Sequence, residues 1–359
     1  MRLVWATVIA DKSSSTDAQN LVVVLDDGSE GKAVCFPALC GTCSIDDRVL
    51  LNTTAVDLAL GTGGLHFVVT RGEATGVAYD SASGGHIMKL RYTPLQVDVV
   101  SVESQESEHH EIMRAATSLG GMPVVCCGLH SQVPLVAAAV KSADPNLRVA
   151  YCMTDEAALA LPLSDVIRAC VREGLLDATI SCGQAFGGQL EAVNLHSGLL
   201  AARYVARADV VIVAIGPGVV GTATPFGHGG VAQGEALNSV VSLRGTPIAV
   251  LRMSFADARS RHRVVSHHSI AALTQISLAP VRVAVPVLPQ DFAEQVEDAL
   301  ESAGVWDQHV RADAEAITPD MRGVRVSTMG RGPGDDPSFF AAAYAAGECA
   351  ARIAHDREA

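Results

Sequence analysis

Six apolar runs in this chain, MPVVCCG, LRVAYCM, DATISCG, ADVVIVAIG, PIAVLRMSF and VRVAVPV, each give way to a helical pattern. A strand can reach a parallel neighbour only by crossing one face of the sheet. Such alternation therefore predicts a parallel sheet with right-handed crossovers and helices on both faces. Strands buried on both faces read as continuous apolar runs, which these are. Hydrophobic residues make up 49% of the 359, charged residues 18% and aromatics 4%, so Ala, Val, Leu and Ile must build the core. One more strand, GVRVSTMG, is expected, leading through RGPGDDP into an Ala-rich helix. Asp336 suits that helix's N-cap and Pro337 its first turn.

The first hundred residues have a different rhythm. VWATVIA, LVVVL, RVLLN, LHFVVT and HIMKLRYT are short strands separated by turn residues, with a hairpin at Asp27-Gly28. In HIMKLRYT the alternation predicts Met88, Leu90 and Tyr92 on one face and Lys89 and Arg91 on the other. The polar segment Glu103–Glu111 separates the two rhythms. The expected organisation is a β-rich, barrel-like domain over 1–102 and a doubly wound, mostly parallel, Rossmann-like α/β domain over 103–359.

A net charge of −13 argues against broad contact with nucleic acid or an anionic membrane surface. Nine cysteines, several inside apolar runs, read as buried thiols in a reducing compartment, so the cytoplasm is expected. Cys40-Gly-Thr-Cys43 has redox or zinc spacing, but only Cys35 is near it, and a structural role is expected. The apolar run Leu3–Ala10 reads as a first strand rather than a leader.

Open parallel sheets bind ligands beyond the carboxyl ends of their strands. Polar and glycine residues gather there: His130 and Ser131, Asp155 and Glu156, GPGVVG, and SFADARSRHRVVSHHS, which runs from Ser254 to Ser269. The last of these crowds Asp257, Arg259, Arg261, His262, Arg263, His267 and His268 into an otherwise charge-poor chain. With Ser254 at the strand end and Ser266 capping a helix, it predicts an anion pocket. Arg259, Arg261 and Arg263 supply forked donors, and the helix start supplies free N–H groups. His262 or His267 is the expected general acid or base, oriented by Asp257. A metal is not expected, because the arginines oppose a cation and adjacent His267 and His268 diverge by about 100° on a helix.

GPGVVG matches G-x-G-x-x-G, but Thr222–Gly230, with Pro225, delays the helix that a dinucleotide site requires. Gly216, Gly218 and Thr222 then form either a turn that lets backbone approach a ligand or a merely tight turn. His130 and Ser131 lie beside the pocket, with Ser131 as a helix N-cap the competing role. Asp155 and Glu156 suit either proton transfer or a helix's first turn. In RGPGDD, Asp335 offers a cation ligand or a base.

At GHIMKLRYTPLQ, NTTAVDLALGTGGLHFVV, DVVIVAIGPGVVGT, SFADARSRHRVVSHH and GRGPGDD the chain resembles a bacterial family of unknown function, DUF3866. The resemblance implies one two-part architecture and no activity, cofactor or catalytic residue. Leu65 stands where similar chains tend to have an aromatic. His66, in the glycine turn Gly61–Phe67, is expected to be hydrogen-bonded in place.

The expected function is an enzyme of unknown reaction class acting on a small anionic ligand, phosphorylated ones included. The alternative is a non-catalytic sensor using the same pocket. The cofactor is not identified. The Ala-rich terminal helix would suit a homo-oligomer through close packing.

Overall fold

The computed structural model describes residues 2–13, 15–59, 63–72, 85–93 and 95–358, in two units, Met1–Val100 and Ser101–Ala359. Gly61 and Thr62 of the Gly61–Phe67 turn lie outside the described residues.

The first unit is a closed barrel. Its strands are β1 (Leu3–Asp11), β2 (Gln19–Leu25), β3 (Glu30–Cys35), β4 (Arg48–Asn52) and β5 (Leu65–Arg71), in the order β1-β2-β3-β5-β4. One-turn helices α1 (Pro37–Cys40) and α2 (Thr54–Asp57) join them. Closure removes unpaired sheet edges. Alternate residues Ala6, Val8, Leu21, Val23, Val49 and Leu51 fill the interior. The β2–β3 hairpin turns at Asp27-Gly28, where Gly28 takes φ +85°, a left-handed conformation that suits glycine.

A short pair, β6 (Ile87–Lys89) and β7 (Val97–Val99), stands outside the barrel. The expected alternation through Tyr92 fails here. Leu90 and Tyr92 have positive φ, which ends the strand; Lys89 is fully buried and Tyr92 fully exposed. His66 is buried on β5 with no partner for Nδ1 among the described residues, so it is not pinned by hydrogen bonding at that atom.

The second unit opens with α3 (His110–Ala115) and is built on an eight-stranded, all-parallel sheet. In chain order its elements are β8 (Pro123–Cys126), α4 (Val133–Ala143), β9 (Val149–Thr154), α5 (Asp165–Arg172), β10 (Ala178–Cys182), β11 (Leu190–Ala192), α6 (Leu195–Tyr204), β12 (Val210–Ile215), α7 (Val231–Ser242) and β13 (Thr246–Val250). A two-residue hairpin, β14 (Met253–Ser254) with β15 (Val264–Val265), follows. Then come α8 (His267–Ala271), a π turn over Ala272–Ile276, β16 (Arg282–Pro286), α9 (Gln290–Ser302), β17 (Val310–Ala314) and α10 (Pro337–Glu358).

The sheet order is β11-β10-β9-β12-β8-β13-β16-β17. Helices α4, α5 and α10 cover one face and α6, α7 and α9 the other. The chain leaves β8 toward the first face and leaves β12 and β13 toward the second. The connections therefore diverge on either side of β8, an arrangement that in open parallel sheets marks the crevice for a ligand at the carboxyl ends, here of β12, β8 and β13. Two buried glutamines hold this crevice. Gln233 on α7 donates to Cys126 O and Val250 O, both at 2.8 Å, and Gln132 donates to Leu251 O at 3.1 Å.

Three expectations change. GVRVSTMG is not a strand; its only pairing is an isolated bridge between Thr328 and Arg331, and the last strand is VRADA. An unexpected edge strand, β11, follows β10. The small residues of α10 pack within the chain: a Cβ on Gly347 would sit 2.6 Å from Ala139 Cβ on α4, so close helix packing is used without a second copy.

Candidate functional site

β13 leads into the run LRMS, and a single cation, Arg252, sits in it. Its backbone is fixed at both polar groups: Arg252 N donates to Ser269 Oγ at 2.8 Å, and Arg252 O accepts from Ser266 N at 2.8 Å. This places the guanidinium in the crevice, 5% exposed. Among the described residues no carboxylate pairs with it; its Nη1 lies 3.3 Å from His268 Nδ1. Burial, then repulsion from Arg259, pushes its pKa down to about 10 despite the opposing effect of Asp257.

Four imidazoles surround this cation. Ser266 caps α8 by accepting from His268 N at 3.2 Å, and the same hydroxyl lies 2.8 Å from His262 Nδ1. His267 and His268 open the helix. His228 arrives from the loop after β12, where a bridge between Gly221 and His228 folds the chain back. The His228 and His268 rings stack with centroids 4.0 Å apart, and His262 and His267 lie within about 5 Å of them. Gly230 makes the close approach possible, since a Cβ there would fall 2.7 Å from His268 Cβ and 2.9 Å from His228 Nδ1.

Burial disfavours the charged form of all four rings. Burial, then Arg252 and Arg259, pushes His262 down to about 3; burial, His228 and Arg252 push His268 to about 2. His228 and His267 are lowered too, chiefly by burial.

Beside the rings lies an ionic network. Asp257, 4% exposed, receives both Nε and Nη2 of Arg259, at 3.0 and 2.8 Å, and Arg331 Nη2 at 3.4 Å. Arg331 Nε also donates to Asp336 Oδ2, which accepts from Ser254 Oγ at 2.7 Å. The hydrogen bonds from Arg259, more than offsetting burial, hold the Asp257 carboxyl well below the usual range.

The residues singled out in the sequence thus divide. His262 and His267 meet at Arg252, with Arg261 close enough to depress both Arg252 and His267. Arg263 is exposed, and its guanidinium makes no hydrogen bond or ion pair among the described residues. Arg259 is committed to Asp257. Asp257 touches two arginines and no histidine, so it does not orient an imidazole; Ser266 does that for His262 instead. The helix carrying His267 has five residues before the π turn, too few to supply much of a dipole.

His130 is locked in place. Its Nδ1 faces Tyr151 Oη and Ile215 O, Nε2 lies 2.7 Å from Ser164 Oγ, and burial pushes it down to about 4. Ser131 does not cap α4, whose N-cap is Gln132; its hydroxyl meets Thr328 Oγ1. In the glycine loop, Gly216 passes close to Ala158 O, Gly218 has φ +97°, and Thr222 N and Oγ1 both bond Gly227 O. That loop closes on itself and carries His228, and α7 starts only at Val231, so the dinucleotide geometry is absent.

Asp155 accepts from Gln184 N at 2.7 Å and, with Glu156, Glu235 and Thr154, lines a separate cavity of about 300 Å³ beyond β9 and β10. Asp335 accepts from Gly332 N within its own turn. In the barrel, Cys35 Sγ lies 3.4 Å from Cys40 Sγ and 3.6 Å from Cys43 Sγ, a buried trio of free thiols.

Sequence reasoning missed Arg252, His228, His268 and Arg331 as site residues. The signals were present: one arginine inside an apolar run, and a histidine between glycines in GHGG.

A family model described as a protein of unknown function, DUF3866, matches residues 32–347 of the chain. The chain belongs to that family. No curated protein and no solved structure matches it. The crevice geometry therefore has to carry the functional reading of this DUF3866 member, in which no described helix is long and apolar enough to cross a membrane.

Proposed function

We propose that this protein binds a small anionic ligand, a phosphorylated molecule or a carboxylate, at the crevice beyond β12, β8 and β13, and acts on it as an enzyme. The observation that carries this reading is Arg252. A guanidinium 5% exposed and, among the described residues, without a carboxylate partner is an expensive arrangement unless a ligand supplies the negative charge. Arg252 and Arg261 hold the anion. His262 faces it and serves as a neutral hydrogen-bond donor, becoming a proton carrier once the anion offsets the arginine charge. Arg259, Arg331, Asp257, Asp336 and Ser254 keep the loops in register.

A sensor or binding protein using the same pocket is the second reading. The low proton affinity of His262 favours it, because general acid–base groups work best near the operating pH. The ligand is a small molecule rather than nucleic acid or membrane, given the charge of −13. The free, buried cysteines accord with a cytoplasmic protein; a homo-oligomer remains part of the proposal without support from α10.

A thermal-shift panel of phosphate, nucleotides and small carboxylates tests the reading. Stabilisation by at least one anion, lost in Arg252→Met, is expected; no stabilisation by any of them sinks it. With a ligand in hand, His262→Ala separates the two roles: lost turnover with retained binding marks an enzyme.

A further inference from the structure

We propose that His228, His267 and His268 form a binding site for a divalent transition metal of the zinc type. One nitrogen from each lies within 4.8 Å of the others. The three come from two separate segments, the loop after β12 and the start of α8, so nothing about local chain geometry forces them together.

The free nitrogens are the ones a metal needs. His228 Nε2 is 2.9 Å from Pro225 O, which fixes its proton there and leaves Nδ1 as the lone-pair atom. That Nδ1 is buried without a partner, and so is His267 Nε2. Two unpaired imidazole nitrogens in one crevice are unusual, because buried polar atoms normally find partners. His268 offers Nε2, since its Nδ1 faces Arg252.

Imidazole nitrogens suit zinc, copper, nickel and iron, and three of them leave a tetrahedral ion with one open position. Metal–nitrogen bonds of ~2.0–2.1 Å in tetrahedral geometry place ligand atoms ~3.3 Å apart. The 4.8 Å within which one nitrogen of each ring lies exceeds that spacing by about 1.5 Å. The expectation that adjacent histidines diverge does not hold here: the His267 and His268 rings are 4.4 Å apart, centroid to centroid. The short helix, with His228 packed against both rings, turns them toward one point.

The neighbouring arginines oppose a lone cation, so this inference builds on the anion reading. Ligation through His268 Nε2 puts that ring's proton on Nδ1. Two donors then face each other, and the long 3.3 Å contact with Arg252 breaks. The guanidinium is released toward an anion held at the open metal position, so metal and anion bind with positive coupling.

The test uses the full chain in phosphate-free buffer. Zn²⁺ is added, the protein is passed through a desalting column, and metal is counted by elemental analysis; Co²⁺ is titrated separately by visible absorption. One equivalent of Zn²⁺ per chain is expected, with Co²⁺ bands lacking thiolate charge transfer. Intense charge transfer would place the metal at Cys35, Cys40 and Cys43 and overturn the inference. His228→Ala and His267→Ala should each weaken Co²⁺ binding by 100-fold or more. Unchanged binding in His228→Ala overturns the site. Pulsed EPR of Cu²⁺-loaded wild type counts coordinated imidazoles without any variant: three support the site, and none or one removes it. Sulfate reports on the other half. Metal binding with no stabilisation by sulfate, phosphate, nucleotides or carboxylates leaves this site standing and removes the anion reading; anion stabilisation of protein that holds no metal does the reverse.

Discussion

Replacing Arg252 by methionine should make the ligand-free protein more stable and deaf to anions. Each tenfold change in proton affinity corresponds to ~1.4 kcal/mol, so a pKa pushed down to about 10 means roughly 3 kcal/mol spent holding the charge in the crevice. The penalty has a definite sign. The unfolded chain binds the proton more tightly, so the destabilisation is complete at pH 7 and fades only as pH rises through about 10. Methionine keeps much of the stem's volume and removes the charge. It forfeits the long contact with His268, worth about 1 kcal/mol. The net gain is about 1–2 kcal/mol, or roughly 2–6 °C in melting temperature for a unit of this size. The assay is thermal denaturation at pH 7 in low-salt, phosphate-free buffer, repeated over a phosphate titration. Wild type should gain about 2.7 kcal/mol when phosphate reaches 100 times its dissociation constant, and the variant nothing. A variant that melts below wild type, or that keeps the full phosphate response, would show that Arg252 is a structural pin and refute the argument.

Four further outcomes follow from the same geometry. Because burial and the arginines hold the crevice histidines below their ordinary 6.5, ligand-free protein should lose stability as pH falls below about 6.5; a bound anion raises their proton affinity, so anion binding should tighten on acidification with proton uptake, read by calorimetry in buffers of different ionisation enthalpy. Gly230→Ala fits the helical backbone there (φ −68°) but drives a methyl against His268 and His228; it should weaken Co²⁺ binding at least tenfold with the circular dichroism spectrum unchanged. Gln233→Leu strands Cys126 O and Val250 O, and denaturant titration should show a loss of about 2–4 kcal/mol. Asp257→Asn leaves Arg259 without its carboxylate, while Arg331 keeps Asp336; since Arg259 is 43% exposed and can rehydrate, the loss should be only about 1–3 kcal/mol, with a larger recovery in sulfate than wild type shows.

The sequence by itself determined the architecture. Doubly buried strands such as VVIVAI must be apolar throughout, and their alternation with helices leaves few topologies besides a parallel sheet. Asp27-Gly28 likewise announces its hairpin, because few other residue pairs suit that backbone. It also drew attention to Ser254–Ser269, since charge stands out in a chain that has little, and the fold gathers histidines of that loop around Arg252. Local pattern failed where a residue's fate depends on distant partners. GVRVSTMG has the alternation of a strand, but the sheet already ends at β17. The alternation paired Lys89 with Arg91 on one face, but the strand stops at Lys89.

Only the tertiary structure decided the site. Strand order cannot be read along the chain, because β12 inserts between β8 and β9 by packing rather than by any local signal. That insertion brings the His228 loop against α8, 39 residues further on in the sequence by His267. Whether an arginine is free or spent is equally non-local. Arg259 lies in the richest part of the motif and is neutralised two residues away by Asp257, whereas Arg252 looks like part of a strand and is a buried cation with no carboxylate partner among the described residues. Burial and pairing are properties of the folded neighbourhood, and they, rather than residue type, set which groups are available for chemistry.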